Sequence, residues 1–352
     1  MRDWLIVADD VTGALDSAAG FAGTGRVEYV TADAGDGTTD IVTVSTGSRA
    51  RPGDAAGPAT AAVDRRFARL FVKVDSTLRG SPAEHVRGAL GAWHPGATAV
   101  VCPAAPALGR TVAGGRVLVD GVPAARTDAG RDPVAPVRED RLDVLFGAPL
   151  AATEDLAGLV GRLPAVVVDA VTGDDLAALA RALDALGPRA VPVGAAGLAA
   201  ALGALRPAGP PGPAPAASHP VVLATSVHPV ARAQLAALGR DELVVGPPTL
   251  RSPAVSHDEA LAAAADAATR AAHRIAAGAD AVVVLGGDGV HALLAALGAT
   301  GVAVRGTLLP GVPWGVVRGG PAAGLPIVTK AGGFGGPATL TDLIGLLTKE
   351  HG

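Results

Sequence analysis

The chain has 352 residues, of which 49 % are hydrophobic and 18 % charged. That length exceeds the roughly 250–300 residues at which one core stops growing, so two domains are expected, and the apolar content excludes a disordered chain. Twenty-nine basic residues against 33 acidic ones, a net charge of −4, exclude a basic nucleic-acid surface, and the lone cysteine, Cys102, excludes an internal disulfide or a multi-Cys zinc site.

The start, Met1-Arg2-Asp3-Trp4, carries an acidic residue and runs straight into a strand pattern, unlike a cleavable signal. β-rich runs at 5–8, 41–45, 70–74, 99–102 and 165–168 alternate with Ala/Leu-rich stretches near 14–23, 55–69, 82–92 and 173–186. That rhythm predicts an α/β domain with a largely parallel sheet. Residues 116–150 differ: a hairpin-like run at 117–122 precedes a Pro- and Arg-rich stretch, which reads as a loop or flap insertion. The Pro-rich, uncharged segment 207–218 reads as a stiff linker, dividing domain 1–206 from domain 219–352. Beyond it the rhythm resumes, with strands at 221–224, 243–245, 281–285 and 327–329 and helices at 230–238, 258–277, 290–297 and 338–348. Two α/β domains with largely parallel sheets are therefore expected. Apolar runs such as Ala281–Leu285 fall far short of the ~18–20 residues of a membrane span. A cytoplasmic protein with neither membrane nor nucleic-acid partner is the expectation.

In such sheets ligands sit beyond the carboxyl ends of the strands, and the polar clusters lie there. The first strand ends in Asp9-Asp10-Val11-Thr12-Gly13. Two adjacent carboxylates need a cationic or hydroxylic answer, although Asp10 or Thr12 could equally cap the following helix. A later strand ends in Lys73-Val74-Asp75-Ser76-Thr77-Leu78-Arg79-Gly80, where alternation sends Lys73 and Asp75 to one face. That assortment suits a small polyhydroxylated acid: Arg79 for a carboxylate, Asp75 and Ser76 for hydroxyls, Lys73 for a negative charge. Only Lys73, Lys330 and Lys349 are lysines among the 29 basic residues, so an ammonium at either motif position is a chemical choice. Arg110 and Thr111, after the Cys102 strand, could join the same pocket. Cys102 itself reads as a buried small hydrophobe.

In the second domain Leu285-Gly286-Gly287-Asp288-Gly289 joins a strand to a helix, the arrangement whose exposed amides hold phosphate. Thr329-Lys330-Ala331-Gly332-Gly333 repeats that pattern after the last strand. Neither matches a Walker A or GxGxxG spacing. Thr225-Ser226-Val227-His228 could place Ser226 on a phosphate or ribose, with His228 read as a helix-entry cap. His257 and His291 lack partners at metal-ligand spacing.

The stretches 8–22 (ADDVTGALDSAAGFA), 73–80 (KVDSTLRG), 102–112 (CPAAPALGRTV), 193–202 (VGAAGLAAAL), 228–234 (HPVARAQ), 309–315 (LPGVPWG) and 325–335 (LPIVTKAGGFG) resemble, in order, the four-carbon acid sugar kinase family of threonate, erythronate and 3-oxo-tetronate kinases. The resemblance implies ATP-dependent phosphorylation of a sugar-acid hydroxyl with Mg2+, in a cleft between a sugar-acid domain and a nucleotide domain, and allows a homo-oligomer. It makes Asp9, Asp10, Lys73, Asp75, Ser76 and Arg79 candidates for the acid, to which the loop after the Cys102 strand adds Arg110. Ser226, Gly286, Gly287, Asp288, Gly289 and Gly332 become candidates for ATP, to which the second glycine loop itself adds Lys330 and Gly333. Asp10 or Asp75 is the expected base, with Lys73 offsetting charge; the metal ligands stay open. Two departures stand out. Where the family commonly has Thr on either side of Gly-Gly-Asp or Gly-Gly-Glu, this chain has Leu285 and Gly289, and the turn before His228 lacks a usual Gly, having Ala224-Thr225-Ser226. A sugar-acid sensor that has lost ATP is therefore the alternative, ahead of a metal-dependent aldolase or isomerase acting through the carboxylates.

Overall fold

The computed structural model describes residues 2–31, 39–51, 53–207, 209, 213–246 and 257–348, so part of the Pro-rich segment lies outside the described residues. Contacts divide the chain into two compact units, Met1–Val27 with Ala34–Gly209, and Glu28–Asp33 with Pro210–Gly352. In chain order the elements up to the divide are β1 (Arg2–Ala8), α1 (Val11–Ala19), β2 (Val27–Val30), β3 (Ile41–Ser45), α2 (Ala56–Ala62), β4 (Phe67–Lys73), α3 (Pro82–Ala92), β5 (Thr98–Cys102), β6 (Arg110–Ala113), β7 (Arg116–Val119), β8 (Val122–Pro123), α4 (Leu142–Phe146), β9 (Leu150–Ala151), α5 (Leu156–Leu159), β10 (Ala165–Val168), α6 (Gly173–Leu186), β11 (Ala190–Gly194) and α7 (Ala196–Gly203). After it come β12 (Pro220–Ala224), α8 (Pro229–Leu238), β13 (Val244–Val245), α9 (His257–Ala276), β14 (Ala281–Leu285), α10 (Gly287–Ala296), β15 (Gly301–Leu309), β16 (Val312–Arg318), β17 (Pro326–Lys330) and α11 (Thr339–Thr348).

The first unit is built on strands in the order β3-β1-β4-β11-β5-β10-β9, all paired parallel. Helices cover such sheets on both faces, which is why β1, β4 and β5 read as unbroken apolar runs; Leu5, Ile6, Val7, Val72 and Val100 are fully buried. Because β1 lies between β3 and β4, the chain leaves it in opposite directions. That makes the carboxyl end of β1 a topological switch point, where a crevice opens. The expected insertion contains a three-stranded antiparallel sheet, β6-β7-β8.

In the second unit β13-β12-β14-β17 run parallel, with the switch point between β12 and β14. An antiparallel extension follows: β17 pairs with β16, β16 with β15, and β15 with residues 28–30 of β2. The expected parallel sheet is present in β13-β12-β14-β17; β15 and β16, which were not foreseen, add an antiparallel edge to it. Among the described residues no helix is long and apolar enough to cross a membrane.

Candidate functional site

At the β1 switch point the first unit gathers three carboxylates and three cations. Asp10 begins α1 as its N-cap, accepting from Gly13 N at 3.0 Å, so the capping and site readings coexist. The strand ends are tied together: Asp9 N donates to Lys73 O and Arg49 N to Asp9 O. Lys73, buried at the end of β4, donates through Nζ to Asp9 Oδ1 at 2.9 Å and Asp10 Oδ1 at 3.0 Å. A Cβ at position 13 would collide with that ammonium, so the glycine makes the approach of Lys73 sterically feasible.

The residue at the centre is one the sequence reading passed over. Arg49, in the turn after β3, donates Nε to Asp9 Oδ2 at 2.9 Å, Nη2 to Asp9 Oδ1 at 3.0 Å and Nη2 to Asp10 Oδ1 at 2.6 Å. It also lies 3.4 Å from Asp75 Oδ1. Burial alone would lower its proton affinity, but Asp10, Asp9 and Asp75 together raise it well above the usual guanidinium value. Beneath its turn, Ser48 Oγ lies 3.5 Å from Nδ1 of the buried His85.

The 73–80 loop folds around Asp75. Arg79 donates Nε to Asp75 Oδ2 and Nη2 to Asp75 Oδ1, each at 3.0 Å, and Thr77 caps the same carboxylate. Leu78 is held at φ +69°, a left-handed conformation that costs a branched residue about 1–3 kcal/mol and commonly marks a functional turn. Arg79 spends Nη1 on Asp132 of the insertion at 3.3 Å. Ser76 is buried in this loop. Arg110 turns back to donate to Leu108 O and senses Asp120 and Asp75 electrostatically.

The expected bases are already occupied. Burial would raise the pKa of Asp10, but Arg49 and Lys73 outweigh it and hold the carboxyl well below the usual range. Arg79 and Arg49 do the same for Asp75. A carboxylate so depressed is a poor proton acceptor. One further turn along α1, half-buried Asp16 is raised to about 6, by burial foremost; Lys73 opposes the rise and Asp10 adds to it. Cys102 is buried, and burial pushes its thiol up to about 12, which leaves it inert.

In the second unit the expected turns come together. Thr225 N and Ser226 N both donate to Leu285 O, and Gly286 N donates to Lys330 O, all at 3.0 Å. The ends of β12, β14 and β17 thus share one rim. Gly332 packs on Ser226 so closely that a Cβ would collide with the serine hydroxyl. Asp288 is exposed in the first turn of α10, and Gly333 faces the His228 ring, which itself caps α8 by accepting from Val230 N. A side chain at Gly289 would meet Thr225 Oγ1 at 2.6 Å. Thr225 therefore fills the space where the family pattern places a hydroxyl-bearing residue. Lys330 is 1 % exposed and donates to Ala331 O at 3.0 Å; burial lowers its pKa to about 8. Among the described residues no carboxylate pairs with this ammonium, and its place beside amide-lined glycine turns suits a phosphate.

Comparison with known proteins agrees with both halves. Residues 4–202 match a sugar-binding N-terminal domain and residues 258–340 a nucleotide-binding C-terminal domain. A D-threonate kinase of Bordetella bronchiseptica is 41 % identical over 94 % of both chains. A crystal structure of a Bordetella bronchiseptica domain of unknown function, a domain-swapped dimer with bound citrate, is 35 % identical with a TM-score of 0.54 over 98 % of both chains. A Haemophilus influenzae structure shares the fold, with a TM-score of 0.70 at 21 % identity over 97 % of this chain and all of that one. With paired domains in this order and a relative that similar over nearly its whole length, the chain belongs to the four-carbon acid sugar kinase family.

Proposed function

We propose that the protein transfers a phosphoryl group from ATP to a hydroxyl of a four-carbon sugar acid, with D-threonate as the acceptor. One observation carries this reading. The chain is 41 % identical to a D-threonate kinase over 94 % of both lengths, and it holds a charge network in which Arg49 and Lys73 close a ring with Asp9 and Asp10 while Asp75 joins Arg49 to Arg79.

On the acid side, Arg79 and Arg110 receive the substrate carboxylate, while Asp9, Asp10 and Ser76 accept from or donate to its hydroxyls. Lys73 lies against Asp9 and Asp10 and compensates charge near the reacting oxygen. Asp16 takes the proton of that hydroxyl: no hydrogen bond contributes to its shift, and its pKa of about 6 lies near neutral, where a general base works best. Asp10 and Asp75, saturated by cations, orient rather than deprotonate.

On the nucleotide side, Ser226, the 286–289 turn, Gly332 and Gly333 present donors, and Lys330 supplies positive charge. A Mg2+ brought in with the nucleotide would be carried mainly by phosphate oxygens. Asp288 would hold it from the protein side, and the ion would offset phosphate charge. The domain-swapped relative supports a homo-oligomer, to be read by light scattering.

An ADP-release screen over four-carbon sugar acids tests the proposal. Turnover with D-threonate, lost in Asp16→Asn, is expected. Acid binding in a calorimeter with neither nucleotide binding nor ADP release would favour a sensor instead.

A further inference from the structure

The glycine loop 331–336 is held from behind by a side chain that the kinase reading does not use. Gln234, on α8, is 0 % exposed. Its Nε2 donates to Phe334 O and to Gly336 O, both at 2.9 Å. Its Oε1 is buried without a partner among the described residues. The amide thus bears the cost of one orphaned carbonyl in order to hold two carbonyls of the loop, so its effect falls on the loop's conformation.

The geometry of the peptide bond shows what that amide achieves. In a trans peptide the carbonyl and the following N–H point in opposite directions, and no peptide of the described chain is cis. Drawing Phe334 O towards α8 therefore turns the Gly335 N–H away from it. Lys330 acts on the other end of the loop in the same way: by holding Ala331 O at 3.0 Å it turns the Gly332 N–H outwards. Gly335 is exposed and Gly332 half-buried, so both amides have an open side to face. Pro337 follows Gly336 and has no N–H, so the second bond from Gln234 fixes the loop's exit without using a donor.

We propose that Gln234 is a positioning residue for phosphate binding, aiming the backbone amides of the 331–336 loop at the nucleotide by anchoring that loop's carbonyls. This rests on the reading of the second unit as the nucleotide side. Preorganised amides act on a phosphate without the cost of reorienting, so loss of the anchor lowers nucleotide affinity rather than acid affinity.

The test uses the full chain. Gln234→Met keeps the volume and removes both donors, with Gln234→Leu as a second variant should the first fold poorly. ADP binding is measured by calorimetry, and KM for ATP and for D-threonate by ADP release. The expected result is an ADP Kd and ATP KM raised about tenfold or more, with the D-threonate KM within about twofold of wild type. A folded variant whose ADP Kd stays within about twofold of wild type, even with a lowered Tm, overturns the inference and leaves the kinase reading intact. Wild-type protein that binds no ADP overturns both.

Discussion

The contact between Thr225 and Gly289 lends itself to a four-protein comparison in which the order of stability is fixed by geometry. Gly289 lies in the first turn of α10, and its backbone is not in the left-handed region. Alanine in a helix is ordinarily favoured over glycine by about 0.5–1 kcal/mol. Here its Cβ would stand 2.6 Å from Thr225 Oγ1, 2.9 Å from Thr225 Cγ2 and 3.2 Å from Val284 Cγ1. Overpacking of that kind costs about 1–3 kcal/mol. Displacing the threonine also weakens its hydroxyl bond to Leu285 O, 3.2 Å long, worth about 0.5–1.5 kcal/mol. Gly289→Ala alone is therefore expected to destabilise by about 1–3 kcal/mol net. Thr225→Ala removes the two nearest atoms, and the remaining Val284 Cγ1 at 3.2 Å has only to yield by a fraction of an ångström into the space the threonine leaves, so adding Gly289→Ala to that background reverses sign and stabilises by about 0.5 kcal/mol. Thermal unfolding of the four proteins, followed in parallel with KM for ATP, reads the cycle: Gly289→Ala below wild type, and the double variant above Thr225→Ala. A Gly289→Ala single variant more stable than wild type, or a double variant that merely sums the two losses, would refute the reasoning.

Removing Arg49 leaves Asp9, Asp10 and Asp75 without their shared cation. Arg49→Met is expected to lose about 3–5 kcal/mol of stability in chemical denaturation together with measurable acid binding, and unchanged stability would show that the ring is dispensable. Asp16 has a folded pKa of about 6 against 3.8 for the free group, so the native state binds the extra proton and stability falls as pH rises between those values. Asp16→Asn should gain about 1–3 kcal/mol above pH 6, none below about pH 4, and lose about a hundredfold or more in kcat; a stability gain independent of pH, or retained kcat, would contradict the assignment. Gly13→Ala sets a Cβ against the Lys73 ammonium, and kinetics should show kcat falling by about tenfold or more with the ATP KM unchanged; wild-type kcat would mean that Lys73 is not needed where it stands.

Much of the candidate site was legible because a strand followed by a polar cluster is a local signal. Asp9 and Asp10 after β1, Lys73 to Arg79 after β4, and the glycine turns after β14 and β17 could all be read from short windows. Arg49 could not: arginine is this chain's usual cation, and GSRARPG looks like any solvated loop. The rule that sites lie at strand ends would have pointed to it, since β3 ends at Ser45. The central strand β11 was hidden by Pro192, which argues against a central strand yet sits opposite Val100. The β15–β16 pair was missed despite Pro310-Gly311 between two apolar runs, a turn signal realised with Gly311 at φ +72°. The part played by Thr225 depends on packing against a glycine some sixty residues away, which no local pattern reveals.

The most direct test of the account is to follow ATP, Mg2+ and D-threonate with the purified protein by phosphorus NMR. A phosphate-monoester resonance growing in step with ADP is the predicted result. A spectrum in which ATP persists, or yields only orthophosphate, would contradict it.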